Sequence, residues 1–240
     1  ELSTPTGHII QLGNSTLLTP AQRQLPSIGS IINQNEGAAI LAHPTCIKNP
    51  WEGRWYDAGG LEIANLAASA RKRGGPLFLN LLPSLLAWKM NNTLALSQLY
   101  DRDSKALQRW GEIQKPNYIG LCSADAHGYL DLKSNLNFWR IQLEVELPKN
   151  PNKRPQSIVN AIKSGRFFCF GGLFLSHPNS RPDFQFQALL GSTPVGSAGD
   201  TLQQSELSEL YVKGPHIQFP DPKSEMTIVL FRNGEEIIRS

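Results

Sequence analysis

Residues 121–128, with the sequence LCSADAHG, close a short apolar run with an aspartate and a histidine two positions apart. The run from Tyr118 to Ser123 predicts a strand, and alternate residues of a strand point to the same side. A chain leaving the strand here would present Asp125 and His127 to ions held close together. Barrel enzymes place their active-site residues at such strand ends, so this pair is the first candidate for a metal site.

The composition restricts the class of protein. The chain has 240 residues, of which 40% are hydrophobic, and this fits one large or two modest globular domains. The net charge of +3 is small, and Arg71-Lys72-Arg73 is interpreted as a solvated helix end, so no nucleic-acid surface is predicted. No run approaches the roughly 18 apolar residues of a membrane-spanning helix, so no transmembrane segment is predicted.

Three cysteines, Cys46, Cys122 and Cys169, are too few and too widely spaced for a disulfide framework or a zinc ribbon. At least one must stay unpaired within the chain. Cys122 lies inside the apolar run before Asp125, and we expect it to be a small core residue rather than a nucleophile.

Strand-like and helix-like segments alternate through the first two thirds of the chain. The pattern predicts helices at 20–35, 76–91, 103–113 and 157–164, the last ending at Gly165, and strands at 37–42, 61–65 and 118–123. Repeated strand and helix units predict a parallel α/β sheet or barrel.

The composition changes at about residue 172, where the chain becomes rich in Pro, Gly and Ser. Short alternating segments such as 184–188 follow, and the run 227–232 meets Asn233-Gly234, a strong signal for a hairpin turn. We therefore predict two domains, an α/β part at 1–172 and a small β-sandwich-like domain at 180–240.

Three of the five histidines, His8, His43 and His127, lie at or near the ends of strand-like segments, and Glu1 and Asp125 supply carboxylates in similar positions. Strand ends converge on one face of a barrel, and imidazole with carboxylate is a common ligand set for divalent metals. The competing interpretation is that each histidine is a hydrogen-bonded structural residue.

The same motifs occur in the order seen in a known family. They resemble the PHP (polymerase and histidinol phosphatase) family, and most closely its CehA/McbA-type metal-dependent phosphoesterases, through Glu1, Gly7-His8, Ala42-His43-Pro44, Gly60–Asn65 and Ser123–Gly128. The resemblance covers roughly residues 1–172. It implies an incomplete distorted (β/α)7 PHP barrel followed by a small C-terminal β domain.

The resemblance also implies two or three divalent ions, zinc, manganese or iron, in the full-length protein. Glu1 resembles the bridging carboxylate, and His8 and His43 resemble ligands of the second ion. Asp125 would then serve the first ion and His127 a third. The opening His-x-His pair of the family would lie upstream of Glu1, so we expect an N-terminally truncated chain, and an extracytoplasmic location as in similar members.

The implied activity is hydrolysis of a phosphate ester by a metal-activated water, with Asp125 and His127 in the catalytic site. Arg140 is a candidate phosphate clamp, or else a surface arginine packed on Trp139. The loop with Trp51, Trp55 and Tyr56 is expected either to wall the substrate pocket or to form a packed lid. Two further alternatives remain: hydrolysis of a non-phosphate ester or carbamate, and a degenerate, non-enzymatic binding module.

Overall fold

The computed structural model describes residues 1–13, 18–34, 36–73, 82–89, 91–100, 104–113, 115–125, 138–171, 185–203, 205, 209–213, 229–232 and 235–239. The strands in these ranges are β1 Leu2–Thr4, β2 Gly7–Leu12, β3 Ala38–Ala42, β4 Gly60–Asn65, β5 Ile119–Ser123, β6 Trp139–Leu143, β7 Phe167–Gly171, β8 Gln185–Leu190, β9 Thr193–Ser197, β10 Glu209–Lys213, β11 Val229–Arg232 and β12 Glu235–Arg239. The helices are α1 Pro20–Arg23, α2 Ile28–Gln34, α3 Leu66–Arg73, α4 Leu82–Trp88, α5 Asn92–Leu99, α6 Ser104–Glu112 and α7 Arg154–Lys163.

A mixed five-stranded sheet in the order β1-β2-β3-β4-β5 forms the centre of the first part. Strand β2 is antiparallel to both β1 and β3, whereas β3, β4 and β5 run parallel. His8 pairs with Ala42, so the start of β2 lies beside the end of β3. The carboxyl ends of the three parallel strands and the turn between β1 and β2 therefore share one edge of the sheet.

The prediction of an incomplete distorted (β/α)7 PHP barrel is wrong. The described strands form four separate sheets, of five, three, two and two strands, and they close no barrel. Strands β2 and β3 are antiparallel although helices lie between them, and the same holds for β6 and β7 around α7. A barrel of repeated units needs a parallel pair at each of these connections.

The connection between β2 and β3 has an identifiable cause in the sequence. The single helix predicted at 20–35 is divided into α1 and α2, and Pro26 lies in the break. Proline disfavours helix continuation, because it lacks an N–H group and restricts the residue before it. After the two short helices, β3 begins beside the end of β2, where Leu12 pairs with Ala38. The chain thus re-enters the sheet at the same edge at which β2 ended.

Most of the other element predictions within the described ranges are confirmed. The strands expected at 37–42, 61–65 and 118–123 are β3, β4 and β5, and the helix expected at 103–113 is α6. Helix α7 ends before Gly165, which has a φ of 72°. Strands β11 and β12 pair as a hairpin through Arg232 and Glu235, while Asn233-Gly234 lies outside the described residues.

Apolar side chains cover both faces of the central sheet. Leu41 and Leu61 pack with Ile28 and Ile32 of α2 on one face, and Ile40 packs with the opposite cluster that includes Ile162 of α7. All five residues of β3 are buried, as expected for a parallel strand between two layers. No helix within the described ranges has both the length and the apolar character needed to cross a membrane.

The division into domains at 1–172 and 180–240 stays a prediction. Contacts do cross from the α7–β7 connection to the turn after β9: Arg166 Nη2 lies 3.1 Å from Asp200 Oδ1. A β-carbon on Gly199 would lie 2.0 Å from the carbonyl oxygen of Ser164, so only glycine fits this approach.

Candidate metal centre

Glu1, His8 and His43 lie together at the edge of the sheet where β3 ends. Each side chain offers one ligand atom, and these atoms all lie within 4.8 Å of one another. Glu1 Oε1 accepts a hydrogen bond from His8 Nδ1 and lies 3.4 Å from His43 Nε2. The two imidazole rings meet edge to face, with centroids 5.0 Å apart. This cluster could hold a metal ion.

The sheet register explains why residues far apart in the sequence meet here. Ser3 pairs with His8, and Glu1 lies two residues before Ser3, so the side chains of Glu1 and His8 point to the same face. His8 in turn pairs with Ala42, which places it beside His43. A single antiparallel hairpin added to the edge of β3 therefore assembles all three side chains.

The donor set fits a divalent metal, and one pair of donors has the spacing of metal ligands, whereas Glu1 and His8 are in direct hydrogen-bond contact and would have to separate around an ion. Two ligands of a tetrahedral zinc ion, each about 2.05 Å from the metal, lie about 3.3 Å apart. The distance from His43 Nε2 to Glu1 Oε1 is 3.4 Å. Two histidines and one glutamate, with a further position left for water, form a known type of catalytic zinc site.

The electrostatics of Glu1 favour its role as a ligand. Partial burial raises the pKa of the Glu1 carboxyl, but the hydrogen bond from His8 and the proximity of His43 outweigh this effect, and the net pKa is lowered. Glu1 is therefore ionised at neutral pH, as a metal-binding carboxylate must be. Its side chain is one third exposed and that of His43 only 5%, so solvent reaches the cluster from the Glu1 side.

A buried polar network lies directly beneath His43. Glu62 Oε2 accepts hydrogen bonds from the backbone N–H of His43 at 2.6 Å and from Asn65 Nδ2 at 2.8 Å. Asn65 Nδ2 also lies 3.1 Å from Ser123 Oγ on β5. Burial raises the pKa of Glu62, and its hydrogen bonds to Ser123, His43 and Asn65 only partly oppose this.

Glu62 and Asn65 were not predicted as site residues, although both lie in a motif that carries the family resemblance. The signal was present in the sequence. Strand β4 is otherwise apolar up to Ala64, and its burial was predictable from its place in a parallel sheet. A glutamate inside such a strand is rarely buried without hydrogen-bond partners, so it pointed to a polar network.

Asp125 lies at the end of β5, at the same edge of the sheet, but it is not part of the cluster. Its side chain is 5% exposed and its Oδ2 lies 3.7 Å from Arg71 Nη1, an ion pair formed with the last turn of α3. His127, the other half of the predicted motif, lies outside the described residues. Its predicted roles as metal ligand and catalytic residue, and those of Asp125, stay predictions.

Arg140 lies in β6, where it pairs with Phe170, and it is partly buried. It is not a member of the cluster formed by Glu1, His8 and His43. Its role as a phosphate clamp stays a prediction, as does the alternative of packing on Trp139.

The aromatic loop after His43 packs largely against the core. Trp51 is 6% exposed, and its ring lies so close to Gly7 that a β-carbon there would be 2.9 Å from it. Trp55 is partly buried against the same cluster, whereas Tyr56 is 65% exposed. Trp51 thus supports the turn that precedes His8, which favours the packed-lid interpretation for this residue.

Two further features bear on where chemistry can occur. Cys122 is buried, and contact with Cys169 together with burial raises the pKa of its thiol well above the ordinary value, as expected for a core residue rather than a nucleophile. The protein has an open cleft of about 700 Å³ beside α7 and another of about 410 Å³ around Tyr118. Neither Glu1, His8 nor His43 lines either of these two clefts. The cluster therefore lies at an exposed edge, apart from both clefts.

No protein-family model, curated protein or solved structure matches this chain. The resemblance to PHP phosphoesterases accordingly stays a prediction, and the case for function rests on the geometry of Glu1, His8 and His43.

Proposed function

We propose that this protein is a metal-dependent hydrolase of phosphate esters whose Glu1, His8 and His43 bind one divalent ion, zinc or manganese. The observation that carries the proposal is the convergence of their ligand atoms within 4.8 Å at a solvent-facing edge. A bound divalent ion lowers the pKa of a coordinated water and orients phosphoryl oxygens for in-line attack.

The protein residues have separate tasks in this proposal. His43 supplies a buried imidazole, whereas Glu1 and His8 lie on the exposed side and leave room for water and substrate. Glu1 supplies the negative charge that holds the ion, because it is ionised at neutral pH. No protein nucleophile is required, in agreement with the buried, high-pKa thiol of Cys122.

The choice of phosphate esters rests on the order of the motifs, which resembles that of PHP phosphoesterases. In such a site Asp125 and His127 would bind further ions and Arg140 would hold a phosphoryl oxygen. The same activated water can attack a carbonyl carbon, so esters and carbamates are the second substrate class to test.

The first experiment measures metal binding and turnover together. Protein freed of metal with a chelator is titrated with Zn²⁺ or Mn²⁺ by calorimetry and assayed on bis(4-nitrophenyl) phosphate, 4-nitrophenyl phosphate and 4-nitrophenyl acetate. We expect His43→Ala and His8→Ala each to weaken binding by at least about 100-fold, since loss of a ligand should cost more than loss of an outer hydrogen bond. The control is Glu52→Gln. Glu52 is exposed, and its backbone N–H donates to the carbonyl oxygen of Thr6 in the turn between β1 and β2.

Each outcome decides between the hypotheses. Metal-dependent phosphoester hydrolysis that both histidine variants lose and Glu52→Gln retains supports the proposal. Turnover of the acetate alone identifies the ester class. Tight metal binding without turnover of any ester supports the binding module, and failure to bind either metal contradicts the metal site.

A further inference from the structure

Glu62 is a buried carboxylate in the middle of the sheet. It is 2% exposed, and the described residues form no ion pair with it. A buried carboxylate is costly unless hydrogen bonds replace the water that it has lost. The hydrogen-bond partners of Glu62 should therefore indicate its role.

Those partners come from the ends of all three parallel strands. Glu62 Oε2 accepts from the N–H of His43, which follows β3, and from Asn65 Nδ2 at the end of β4. The hydroxyl of Ser123 at the end of β5 also hydrogen-bonds to this carboxylate. Glu62 thus connects the residue that carries a cluster imidazole to the strand that leads into Asp125.

His43 needs such a contact because of its backbone. Its φ of 32° lies in the left-handed region, which residues with a β-carbon seldom adopt, and Pro44 follows directly. The last residue pair between β3 and β4 is Leu41 with Leu61, so the ladder ends before the N–H of His43. The Glu62 carboxylate takes the place of the missing sheet partner.

The imidazole of His43 also lacks the usual means of orientation. Metal-binding histidines commonly donate their second ring N–H to a carboxylate or carbonyl, which fixes the ring. His43 Nδ1 is buried and has no hydrogen-bond partner among the residues that the structure describes. Within this part of the chain, the position of the backbone therefore helps to set the direction of the ring, together with the contacts of the ring with Glu1 and His8.

We propose that Glu62 is a positioning residue: by holding the backbone N–H of His43, its carboxylate aims the imidazole at the point where Glu1 and His8 converge. The inference rests on the proposed metal site. Glu62 touches neither Glu1 nor His8 and acts only through His43 and the ends of β4 and β5.

The test compares Glu62→Leu, which keeps the volume but removes both acceptor oxygens, with Glu62→Gln, which keeps one oxygen. Co²⁺ is the probe, because its visible absorption reports ligand geometry and its titration gives affinity. All titrations are run at a temperature at which the metal-free variant is fully folded by circular dichroism. Thr19→Ala, at the exposed N-cap of α1 and outside the network, serves as the control.

We expect Glu62→Leu to lose about 10- to 100-fold in Co²⁺ affinity and to show a changed visible spectrum, and Glu62→Gln to regain part of both. A purely structural role would lower thermal stability while leaving affinity and spectrum within twofold of the unsubstituted protein, and this result overturns the inference. If Glu62→Leu does not fold, Glu62→Gln decides: affinity reduced about threefold or more supports the inference, and unchanged affinity and spectrum overturn it.

The metal site and the positioning role of Glu62 can be overturned separately. If the unsubstituted protein binds no Co²⁺, the metal site and the inference built on it are both overturned. If the unsubstituted protein binds Co²⁺ and the Glu62 variants bind it equally well, the metal site stands and the positioning role is overturned alone.

Discussion

His43 and Asp125 share an unusual backbone conformation at the ends of buried strands, with φ values of 32° and 47°. Such a conformation costs roughly 1–3 kcal/mol at a residue with a β-carbon and persists only where the surroundings impose it. In both cases the residue was predicted as a metal ligand from its place after a strand. Both residues follow the carboxyl ends of parallel strands, at the same edge of the sheet.

Gly7, directly before His8, also has an unusual backbone conformation. Its φ is 130°, and a β-carbon there would lie 2.9 Å from the ring of Trp51. We expect Gly7→Ala to lower the free energy of unfolding by about 2–3 kcal/mol, through backbone strain combined with displacement of the indole. Urea unfolding monitored by tryptophan fluorescence measures the change.

Gly191 provides the matched control for Gly7. It also has a positive φ, 63°, but an added β-carbon meets nothing within 4 Å. Gly191→Ala should therefore cost only the backbone strain, about 1 kcal/mol. Equal losses at the two positions would contradict the proposed contact between Gly7 and Trp51.

At the scale of elements, the end of β4 joins the sheet to the following helix. Asn65 Oδ1 accepts a hydrogen bond from the N–H of Ala68 at 2.8 Å and so caps the start of α3. Its amide nitrogen binds Glu62 and Ser123 on the other side. The buried side chain of Asn65 therefore fixes the start of α3, the helix whose Arg71 pairs with Asp125. The same side chain also holds the Glu62 carboxylate in place.

We expect Asn65→Ala to destabilise the protein by about 2–4 kcal/mol, because it removes a helix cap and leaves buried polar groups with fewer partners. Thr19→Ala removes an exposed cap, that of α1, and should cost only about 0.5–1 kcal/mol. The comparison uses thermal or urea unfolding of both variants. Similar losses at the two caps would show that burial of the Asn65 network adds nothing to stability.

At the scale of the whole molecule, one ion pair links the α7–β7 connection to the turn after β9. The N–H of Ser197 and the guanidinium of Arg166 outweigh slight burial and lower the pKa of Asp200. A carboxylate with a lowered folded-state pKa stabilises the fold above its unfolded-state pKa, and this contribution is lost as the pH falls toward the folded-state value.

We therefore expect Asp200→Asn to cost about 0.5–1 kcal/mol at pH 7, a modest value because solvent screens the two partly exposed side chains. The difference from the unsubstituted protein should shrink as the pH falls below the ordinary pKa of an aspartate, about 3.9, toward the lowered folded-state pKa. Urea unfolding of both proteins across this range measures it. Glu112→Gln, which breaks a surface pair within α6, is the control, and a difference for Asp200→Asn that is independent of pH would contradict the argument.

Local sequence patterns were sufficient to predict many of the elements. Periodicity of apolar residues located β3, β4, β5 and α6, since burial on one or both faces leaves a local signature. Turn and stop residues located the end of α7 at Gly165. For the candidate site, strand-end positions identified Glu1, His8 and His43, which the structure brings together.

Strand direction and the polar network could only be seen in the tertiary structure. Alternating strands and helices show which residues are buried, but not the edge of the sheet to which a connection returns. The chain returns to the edge at which β2 ended because of the break between α1 and α2 and the pairing of Leu12 with Ala38. As a result β2 is antiparallel to β3, which rules out the predicted barrel. The same pairing places Glu1 within reach of His43, 42 positions further along the chain.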